Sequence, residues 1–359
     1  MFLSTMYVKK ILSLAASTIK LFIILLLFNI NTKAEENNIK YYSHDMGILS
    51  LMYHRFNEEK YPSTNIQMNI FKKQLKIIKE SNYNFYNPGD LEKNFTTPKK
   101  NKTILITIDD AFSSFYNFAW PHLKSEKIPF ILFVSTEAVG KNGYMTWEQI
   151  KILEKYPNVY IGNHSHSHDY LVDFNPQKFI KDINIANKIF VKNLGYNPIF
   201  FSYPFGEYST FIKKYVSKNF KFSFGQHSGV IDVNKDPYEL PRFPINEKYG
   251  DLKRFKFLIN LHPLQFKKLI PEEKFLIKAN NPPLFSVEFF KDQKNLHNIN
   301  CFSDEGDSWG KTIIYFNKNI LNIRFREKFN FRRGRINCSL NDNGIWRWFG
   351  VQFSIDQTN

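Results

Sequence analysis

The sequence has few acidic residues and very few cysteines. Asp and Glu total 33 against 49 Lys and Arg, which gives a formal net charge of +16 over 359 residues. This basic balance favours attraction to anionic envelope polymers, and because the basic residues are dispersed along the chain, nucleic acid is a poor alternative partner. The length and charge suggest a secreted or surface protein with one large domain and a small second one.

The N-terminal apolar run is too short to span a bilayer as a helix. It covers residues 21–28, and Lys20 interrupts its extension. Lys9 and Lys10 supply the positively charged end, and residues 32–34 (Thr-Lys-Ala) form a small-x-small cleavage site. These features predict a signal peptide over residues 1–34, with an uncleaved anchor as the alternative. We therefore expect an exported chain, periplasmic, cell-surface or extracellular, without a stable membrane span.

A pair of carboxylates follows a predicted buried strand. Residues 104–108 are apolar or β-branched without period-two alternation, which is typical of a strand buried on both faces of a parallel sheet. Asp109 and Asp110 come directly after it, at the strand end where α/β folds place their reactive groups. Consecutive side chains of a strand point to opposite faces, so the two carboxylates need a turn there in order to converge.

A pair of histidines follows another predicted strand further along the chain. Residues 159–162 form the strand, and His164 and His168 come after it. One carboxylate and two imidazoles at neighbouring strand ends predict a three-ligand metal site with a position left open for water, as in catalytic zinc centres. His166, which lies between the two histidines, is predicted to be a spacer.

Strands and helices alternate around these two clusters, which implies right-handed crossovers and a parallel sheet. Further strands are predicted at residues 47–54, 128–135, 200–203 and 220–224, and helices at residues 69–81, 113–126, 146–156 and 176–194.

The motifs resemble those of the polysaccharide deacetylases, the carbohydrate esterase family with the NodB homology domain. The family's TFDD motif is similar to residues 107–110 (TIDD), its H-[ST]-x-x-H motif to residues 164–168 (HSHSH), and its aromatic-proline segment to residues 201–206 (FSYPFG). The resemblance covers roughly residues 47–260. It implies an α/β fold, a distorted and incomplete (β/α) barrel, for a deacetylase domain over residues 35–275.

The resemblance also implies roles for individual residues. Asp110, His164 and His168 would hold a divalent metal ion, zinc or alternatively cobalt or nickel, that polarises the amide and activates water. Asp109 would be the general base. The backbone N–H of Phe205 would be a second donor to the oxyanion, beside the metal.

Two features of the family pattern are altered in this sequence. Ser202 stands where the family has an arginine that orients the catalytic carboxylate. Arg242 is the best substitute, and a surface arginine is the alternative interpretation. The general-acid histidine of the family matches either His227, which we favour, or His262. His54, at the end of the first predicted strand, either helps to line the site or is structural.

From residue 280 onwards the pattern changes to short alternating segments without helical spacing, which predicts a small C-terminal all-β, sandwich-like domain over residues 280–359. The strands are expected at residues 284–290, 297–302, 312–316, 320–325, 335–339 and 346–353. Cys301 and Cys338, the only cysteines, both lie here, and export makes a disulfide between them the expected state. Three tryptophans could form a sugar-stacking platform or belong to the core: Trp309, Trp346 and Trp348.

The implied function is an exported metal-dependent hydrolase of N-acetyl groups, acting on the C–N bond of a non-peptide amide in an amino-sugar polymer. The expected partner is an N-acetylated polysaccharide or envelope glycan. One alternative is an O-acetyl esterase that acts on a glycan. The other is a catalytically silent glycan-binding protein on the same scaffold, which the serine at position 202 and the open choice of general acid make plausible.

Overall fold

The computed structural model describes residues 45–306 and 308–357. The predicted signal peptide, residues 1–34, lies outside this described part of the chain. Within it, no helix combines the length and the apolar character of a membrane span.

The larger part of the described chain is a curled, mostly parallel sheet flanked by helices. The strands before residue 245 are β1 (Ile48–Tyr53), β2 (Arg55–Phe56), β3 (Asn65–Ile66), β4 (Asn84–Phe85), β5 (Thr103–Ile108), β6 (Phe130–Val134), β7 (Val159–Asn163), β8 (Phe200–Ser202), β9 (Phe222–Phe224), β10 (Val230–Ile231) and β11 (Phe243–Pro244). The order across the sheet is β10-β1-β5-β6-β7-β8-β9, with β4 also paired to β5 and β11 to β1. This arrangement confirms the predicted α/β fold with an incomplete, distorted (β/α) barrel.

The central strand β5 is apolar on both faces because each face meets a different part of the core. Ile104, Ile106 and Ile108 pack in the cluster that includes the covering helices. Leu105 points the other way and packs with Phe133 and other residues of the barrel interior. A strand with two buried faces shows no alternation in its sequence, as predicted.

The barrel is closed by a short irregular segment between its last and first strands. Leu240 forms a parallel bridge with Phe224 of β9, and β11 pairs in parallel with Leu51 and Met52 of β1. The other half of the same edge of β1 is paired with β10, which runs antiparallel. Arg242 therefore lies in the middle of the closing segment, at the rim of the barrel.

Helices cover the outer face of the sheet. They are α1 (Met68–Glu80), α2 (Leu91–Asn94), α3 (Trp120–Ser125), α4 (Trp147–Glu154), α5 (Pro176–Leu194), α6 (Thr210–Asn219) and α7 (Leu252–Leu258). The side chain of Asn175 caps the start of α5 by accepting from the N–H of Lys178, and Gly195 ends it with φ 84°. The predicted helix 113–126 is interrupted, because a π-helical turn, Phe115–Ala119, precedes α3. Pro121, in the first turn of α3, has no backbone N–H to donate.

The C-terminal part of the described chain consists of two further sheets. Its strands are β12 (His262–Pro263), β13 (Lys268–Ile270), β14 (Phe275–Leu276), β15 (Phe285–Glu288), β16 (Ile299–Ser303), β17 (Gly310–Lys311), β18 (Ile313–Asn317), β19 (Ile320–Arg324), β20 (Arg333–Asp342) and β21 (Ile345–Ile355). One sheet has the order β12-β21-β20-β16-β17 with β14 also on β21, and the other has the order β13-β15-β19-β18. A shared apolar cluster lies between them.

The long hairpin β20–β21 organises the larger of these sheets. Alternate residues of β20 are buried, so its period-two pattern was visible in the sequence. Asn343 and Gly344 connect the strands with φ values of 53° and 90°, as a two-residue type I′ turn requires. The strands that pair with these sheets begin at His262. The strands of these sheets before residue 280 were not predicted, because such short strands show no alternation in their sequence. The domain boundary expected near residues 275–280 stays a prediction.

The predicted disulfide is present between Cys301 and Cys338. The two residues are direct cross-strand partners in the antiparallel pair β16–β20, and both are fully buried. The bridge therefore joins two neighbouring strands of the larger C-terminal sheet.

Replacing both cysteines by alanine should destabilise the C-terminal sheets. The bridge spans 37 residues of sequence, for which the chain-entropy model gives an upper value of about 4 kcal/mol. Denaturant unfolding of oxidised wild type should show a higher midpoint than the double Cys→Ala variant, and reductant should lower only the wild-type midpoint. Two titratable thiols in denatured protein from an oxidising compartment would refute the bridge.

Candidate active site

The reactive side chains lie at the C-terminal ends of the parallel strands. Asp109 follows β5, and its N–H donates to the carbonyl oxygen of Tyr53 at 2.9 Å. His164 follows β7, and its N–H donates to the carbonyl oxygen of Val134 at 3.0 Å. Both bonds continue the pairing of the sheet, so the sheet itself sets the positions of these two residues.

A left-handed turn brings the adjacent carboxylates together. Asp110 and Ala111 have φ values of 73° and 53°, a region that non-glycine residues rarely occupy. The oxygen Oδ1 of Asp110 lies 3.5 Å from Nε2 of His164, and Oδ2 of Asp109 lies 3.8 Å from the same nitrogen. Backbone strain of this kind concentrates at functional sites.

Asp110, His164 and His168 form a three-donor cluster that fits a metal ion. Their ligand atoms lie within 4.8 Å of one another, and Nε2 of His168 is 3.1 Å from Oδ1 of Asp110. The Nδ1 of His164 donates to the carbonyl oxygen of Ser202 at 2.7 Å, which leaves Nε2 with a free lone pair. Among the described residues this buried Nε2 has no hydrogen-bond partner. An orphaned imidazole nitrogen beside a carboxylate suits a divalent ion with nitrogen and oxygen ligands.

The electrostatics of two of the three donors, His164 and Asp110, favour the forms that bind metals, whereas the hydrogen bond and charge of Asp110 outweigh burial and raise the pKa of His168. Burial lowers the pKa of His164 to about 4, although the neighbouring carboxylates oppose the shift. Burial raises the pKa of Asp110, but its hydrogen bond and charge interaction with His168 outweigh this, so the pKa falls below its usual value. A neutral imidazole and an ionised carboxylate are the states in which these side chains coordinate a metal.

A buried aspartate on helix α5 shapes the histidine loop. Asp182 accepts hydrogen bonds from the backbone N–H groups of His166 and Ser167, at 2.9 and 3.0 Å. Its role was missed in the sequence, although there was a signal: an acidic residue on the apolar face of α5, next to the buried Ile183. A carboxylate in that position needs a partner.

Within the loop, the two outer histidines and the central one point to different surroundings. Ser165 accepts from the N–H of His168 at 3.0 Å, and both residues have positive φ. The Nδ1 of His166 lies 2.9 Å from Oγ1 of Thr136. His166 is thus engaged outside the three-donor cluster, the position expected of a spacer.

The buried guanidinium of Arg242 holds Asp109. Its Nη1 and Nη2 donate to the two carboxylate oxygens at 2.7 and 2.9 Å. The remaining bonds go to the carbonyl oxygen of Gly225, to Oγ1 of Thr107 and to Oγ of Ser202, at 2.9, 3.1 and 2.8 Å. All five N–H groups of the guanidinium are therefore satisfied. Arg242, in the closing segment, thus supplies Asp109 with the positive charge that Ser202 cannot supply.

The segment after β8 holds Phe205 in a left-handed backbone conformation, with φ 58° and ψ 6°. The ring packs against His168 and Tyr170, with centroid separations of 4.8 and 4.4 Å. The carbonyl oxygen accepts from Nε2 of Gln352, on β21, at 2.9 Å. The loop that carries His168 and the C-terminal sheet thus both contact Phe205, whose backbone is strained.

An ion pair joins the same segment to the C-terminal sheet. Glu207, which is 1% exposed, accepts from Nε and Nη2 of Arg332 at 3.1 and 2.8 Å. Nη1 of Arg332 donates to Asp173 at 2.9 Å, and the guanidinium lies 3.6 Å from the ring centroid of Tyr170. The segment that carries Phe205 is therefore clamped from the side of the C-terminal sheet.

His54 lies in the cleft beside the three-donor cluster. It follows β1 and lines a cleft of about 870 Å³ together with Asp110 and His168. Burial raises the pKa of Asp109, but the charges of Arg242, His164 and His54 bring it below its usual value. His54 is thus an electrostatic neighbour of the carboxylate that Arg242 holds.

The structure places the other two candidate histidines elsewhere. His227 does not line the cleft that contains Asp110 and His168; it lines one small cavity with Lys235 and Glu239 and another with Trp309 and Arg335. Burial lowers its pKa to about 4. His262 lies in β12. Burial lowers the pKa of His262, and the nearby positive charge of Lys102 lowers it further. Lys102 precedes β5, so His262 lies towards the opposite end of that strand from the carboxylate pair.

Comparison with known proteins identifies the domain that carries these residues. Residues 96–221 match the family model for polysaccharide deacetylase. A poly-beta-1,6-N-acetyl-D-glucosamine N-deacetylase of Staphylococcus aureus (strain MSSA476) is 24% identical over 200 residues, 51% of this chain and 68% of the relative.

Solved structures share the barrel. The structure of IcaB from Ammonifex degensii has a TM-score of 0.54 and 25% identity, covering 60% of this chain and 97% of that one. The Streptococcus pyogenes deacetylase PplD, solved in complex with acetate, has a TM-score of 0.54 and 22% identity, covering 60% of this chain and 99% of that one. Because each neighbour is covered almost completely, the rest of this chain has no counterpart in either. Residues 96–221, which include the carboxylate and histidine motifs, thus form a polysaccharide deacetylase domain of the NodB type.

Proposed function

We propose that this chain is an exported, metal-dependent N-deacetylase of N-acetylglucosamine polymers. The proposal rests chiefly on one observation: the three donors Asp110, His164 and His168 share an edge of the barrel with Asp109, which a buried arginine holds in place. The relative named as a poly-beta-1,6-N-acetyl-D-glucosamine N-deacetylase supports the substrate class. Export rests on the predicted signal peptide, and zinc is the proposed ion, with cobalt or nickel as alternatives.

The chemistry of an amide defines what each residue must do. An N-acetyl amide is a poor electrophile, so its hydrolysis needs a polarised carbonyl, an activated water and a proton for the departing amine. A divalent ion held by the three donors supplies a Lewis acid and lowers the pKa of water. Asp109 takes a proton from the water as its oxygen bonds to the carbonyl carbon. The N–H of Phe205 donates to the carbonyl oxygen as negative charge develops there.

His54 is the proposed general acid. When the C–N bond breaks, the nitrogen must receive a proton, and the products are acetate and a free amine. His54 lines the same cleft as Asp110 and His168, whereas neither His227 nor His262 lines it. We therefore assign proton donation to His54 in place of His227.

The geometry weakens the case for a catalytically silent scaffold. That alternative arose from Ser202, which replaces the arginine of the family pattern. Arg242 supplies a guanidinium to Asp109 from the closing segment, with two charge-assisted hydrogen bonds. An O-acetyl ester would fit the same chemistry, and the relative rates on N- and O-acetylated glycans decide between the two substrates.

The two adjacent carboxylates should respond differently to amidation. Asp109→Asn should keep bound metal while acetate release from N-acetylglucosamine oligomers falls about 10²- to 10⁴-fold, because only the base is lost. Asp110→Asn should lose metal affinity first, with partial rescue by excess divalent ion. Metal content and acetate release are measured together, with His166→Ala as the control that keeps the metal. Metal loss in Asp109→Asn with retention in Asp110→Asn would exchange the two roles.

Removing Arg242 should destabilise the fold unless Asp109 is neutralised as well. Arg242→Met leaves a buried carboxylate without its cation and should lower the free energy of unfolding by about 3–5 kcal/mol. Ser202→Ala, which removes one hydrogen bond to the same guanidinium, should cost about 1 kcal/mol.

The double variant Arg242→Met/Asp109→Asn tests the origin of that cost. It should recover part of the lost stability, because the uncompensated charge is gone. Denaturant unfolding is measured for chelator-treated wild type, Arg242→Met, Asp109→Asn and the double variant. Strictly additive effects of the two substitutions would show that Arg242 and Asp109 are not coupled.

The decrease in rate on removal of a general acid should depend on the leaving group of the substrate. His54→Ala should slow deacetylation of an N-acetyl sugar about 10²- to 10⁴-fold, but it should slow an activated aryl acetate much less, since its leaving group needs no proton. His227→Ala is the matched control and should show no such difference between substrates. Equal losses on both substrates in His54→Ala would argue against the acid role.

A further inference from the structure

The C-terminal sheets form one wall of the cleft that contains the metal donors. The cleft is lined on the barrel side by Asp110, His168 and Phe205, and on the other side by residues that include Trp309, Arg333 and Arg335. Its volume of about 870 Å³ lies near the upper end of roughly 300–1,000 Å³ that is typical of ligand sites. The opening therefore extends well beyond the acetyl-binding end.

Trp309 presents an exposed indole on this wall. Its side chain is 42% exposed, although a tryptophan is costly to leave in water unless something covers it. The guanidinium of Arg335 lies over the ring, 5.5 Å from its centroid. Because Trp309 also lines the cleft, its exposed surface can contact a ligand there.

The support beneath Trp309 is fixed by hydrogen bonds. The Nε and Nη2 atoms of Arg335 donate to Oδ2 of Asp304 at 2.9 and 2.5 Å. The backbone of the two residues is also paired, since the N–H of Asp304 donates to the carbonyl oxygen of Arg335 at 3.0 Å. A platform whose cation is already held loses little freedom when a ligand binds.

The other two tryptophans of this region are placed differently. Trp346 packs edge-on against Phe257, with a centroid separation of 5.9 Å. The indole N–H of Trp348 donates to Oγ of Ser228 at 2.8 Å, so that side chain is tied to the barrel. Of the three, Trp309 is the one that lines the cleft with the metal donors.

We propose that Trp309, supported by Arg335 and Asp304, is a remote sugar-binding subsite for the same glycan chain whose acetyl group enters the metal site. This inference rests on the proposed deacetylase function. A pyranose ring has an apolar C–H face that stacks on an indole, and its hydroxyl groups can bond to the charged side chains beside it. The continuous cleft joins the two ends, so the preferred substrate is an internal stretch of a polymer.

The test measures how the dependence of activity on oligomer length changes when Trp309 is replaced. We would assay acetate release from defined β-1,6-linked N-acetylglucosamine oligomers, from dimer to hexamer, with wild type, Trp309→Ala and Trp346→Ala. Trp346 has a similar exposure, 39%, and serves as the matched control. The kcat/KM advantage of hexamer over dimer should shrink about tenfold in Trp309→Ala, mainly through KM, equivalent to ~1.4 kcal/mol. It should persist in Trp346→Ala.

A binding measurement separates failure of the subsite from failure of the proposed reaction. Calorimetric titration of the hexamer into Asp109→Asn protein should give a Kd that Trp309→Ala, in the same background, weakens about tenfold. Unchanged hexamer affinity in that variant overturns the subsite, even if wild type releases acetate. Weakened affinity supports the subsite, even if wild type releases no acetate, in which case the proposed function alone fails.

Discussion

The pairing of Arg242 with Asp109 is the interaction on which the site and the barrel rim depend. A guanidinium and a carboxylate that are both inaccessible to solvent are tolerated only when their charges and hydrogen bonds are satisfied. Here all five donors of the guanidinium reach acceptors on β5, the end of β8, the loop after β9 and the carboxylate itself. The closing segment is thereby tied to the strands whose ends carry the chemistry.

The C-terminal sheets contribute contacts to the candidate active site. Gln352 holds the carbonyl oxygen of Phe205, and Arg332 holds Glu207 two residues further on. These contacts stabilise a left-handed backbone that would be strained alone. The same sheets place Trp309 in the cleft that contains Asp110 and His168, and the proposed selection of polymeric substrates rests on this placement.

Local patterns predicted more of this molecule than its long-range contacts. The limits of helix α5 and most strands of the C-terminal sheets after residue 284 follow from periodicity, because each of these elements shows its buried face in its own sequence. The cysteine pairing also followed, since two cysteines allow one intramolecular bridge. By contrast, Asp182 was missed, because its partners are backbone N–H groups of a loop elsewhere in the chain. The interrupted helix before β6 depends on a proline that the apolar spacing conceals.

The sequence by itself predicted the strand ends and therefore where Asp110, His164 and His168 would lie, because these residues closely follow the strands that position them. It left the partner of Asp109 and the choice of histidine open. Only the tertiary structure decided that Arg242 reaches the carboxylate and that His54, not His227, lies in the cleft with the metal donors. The reason is physical: these relations depend on which strand ends meet around a closing barrel, and no local period records that meeting.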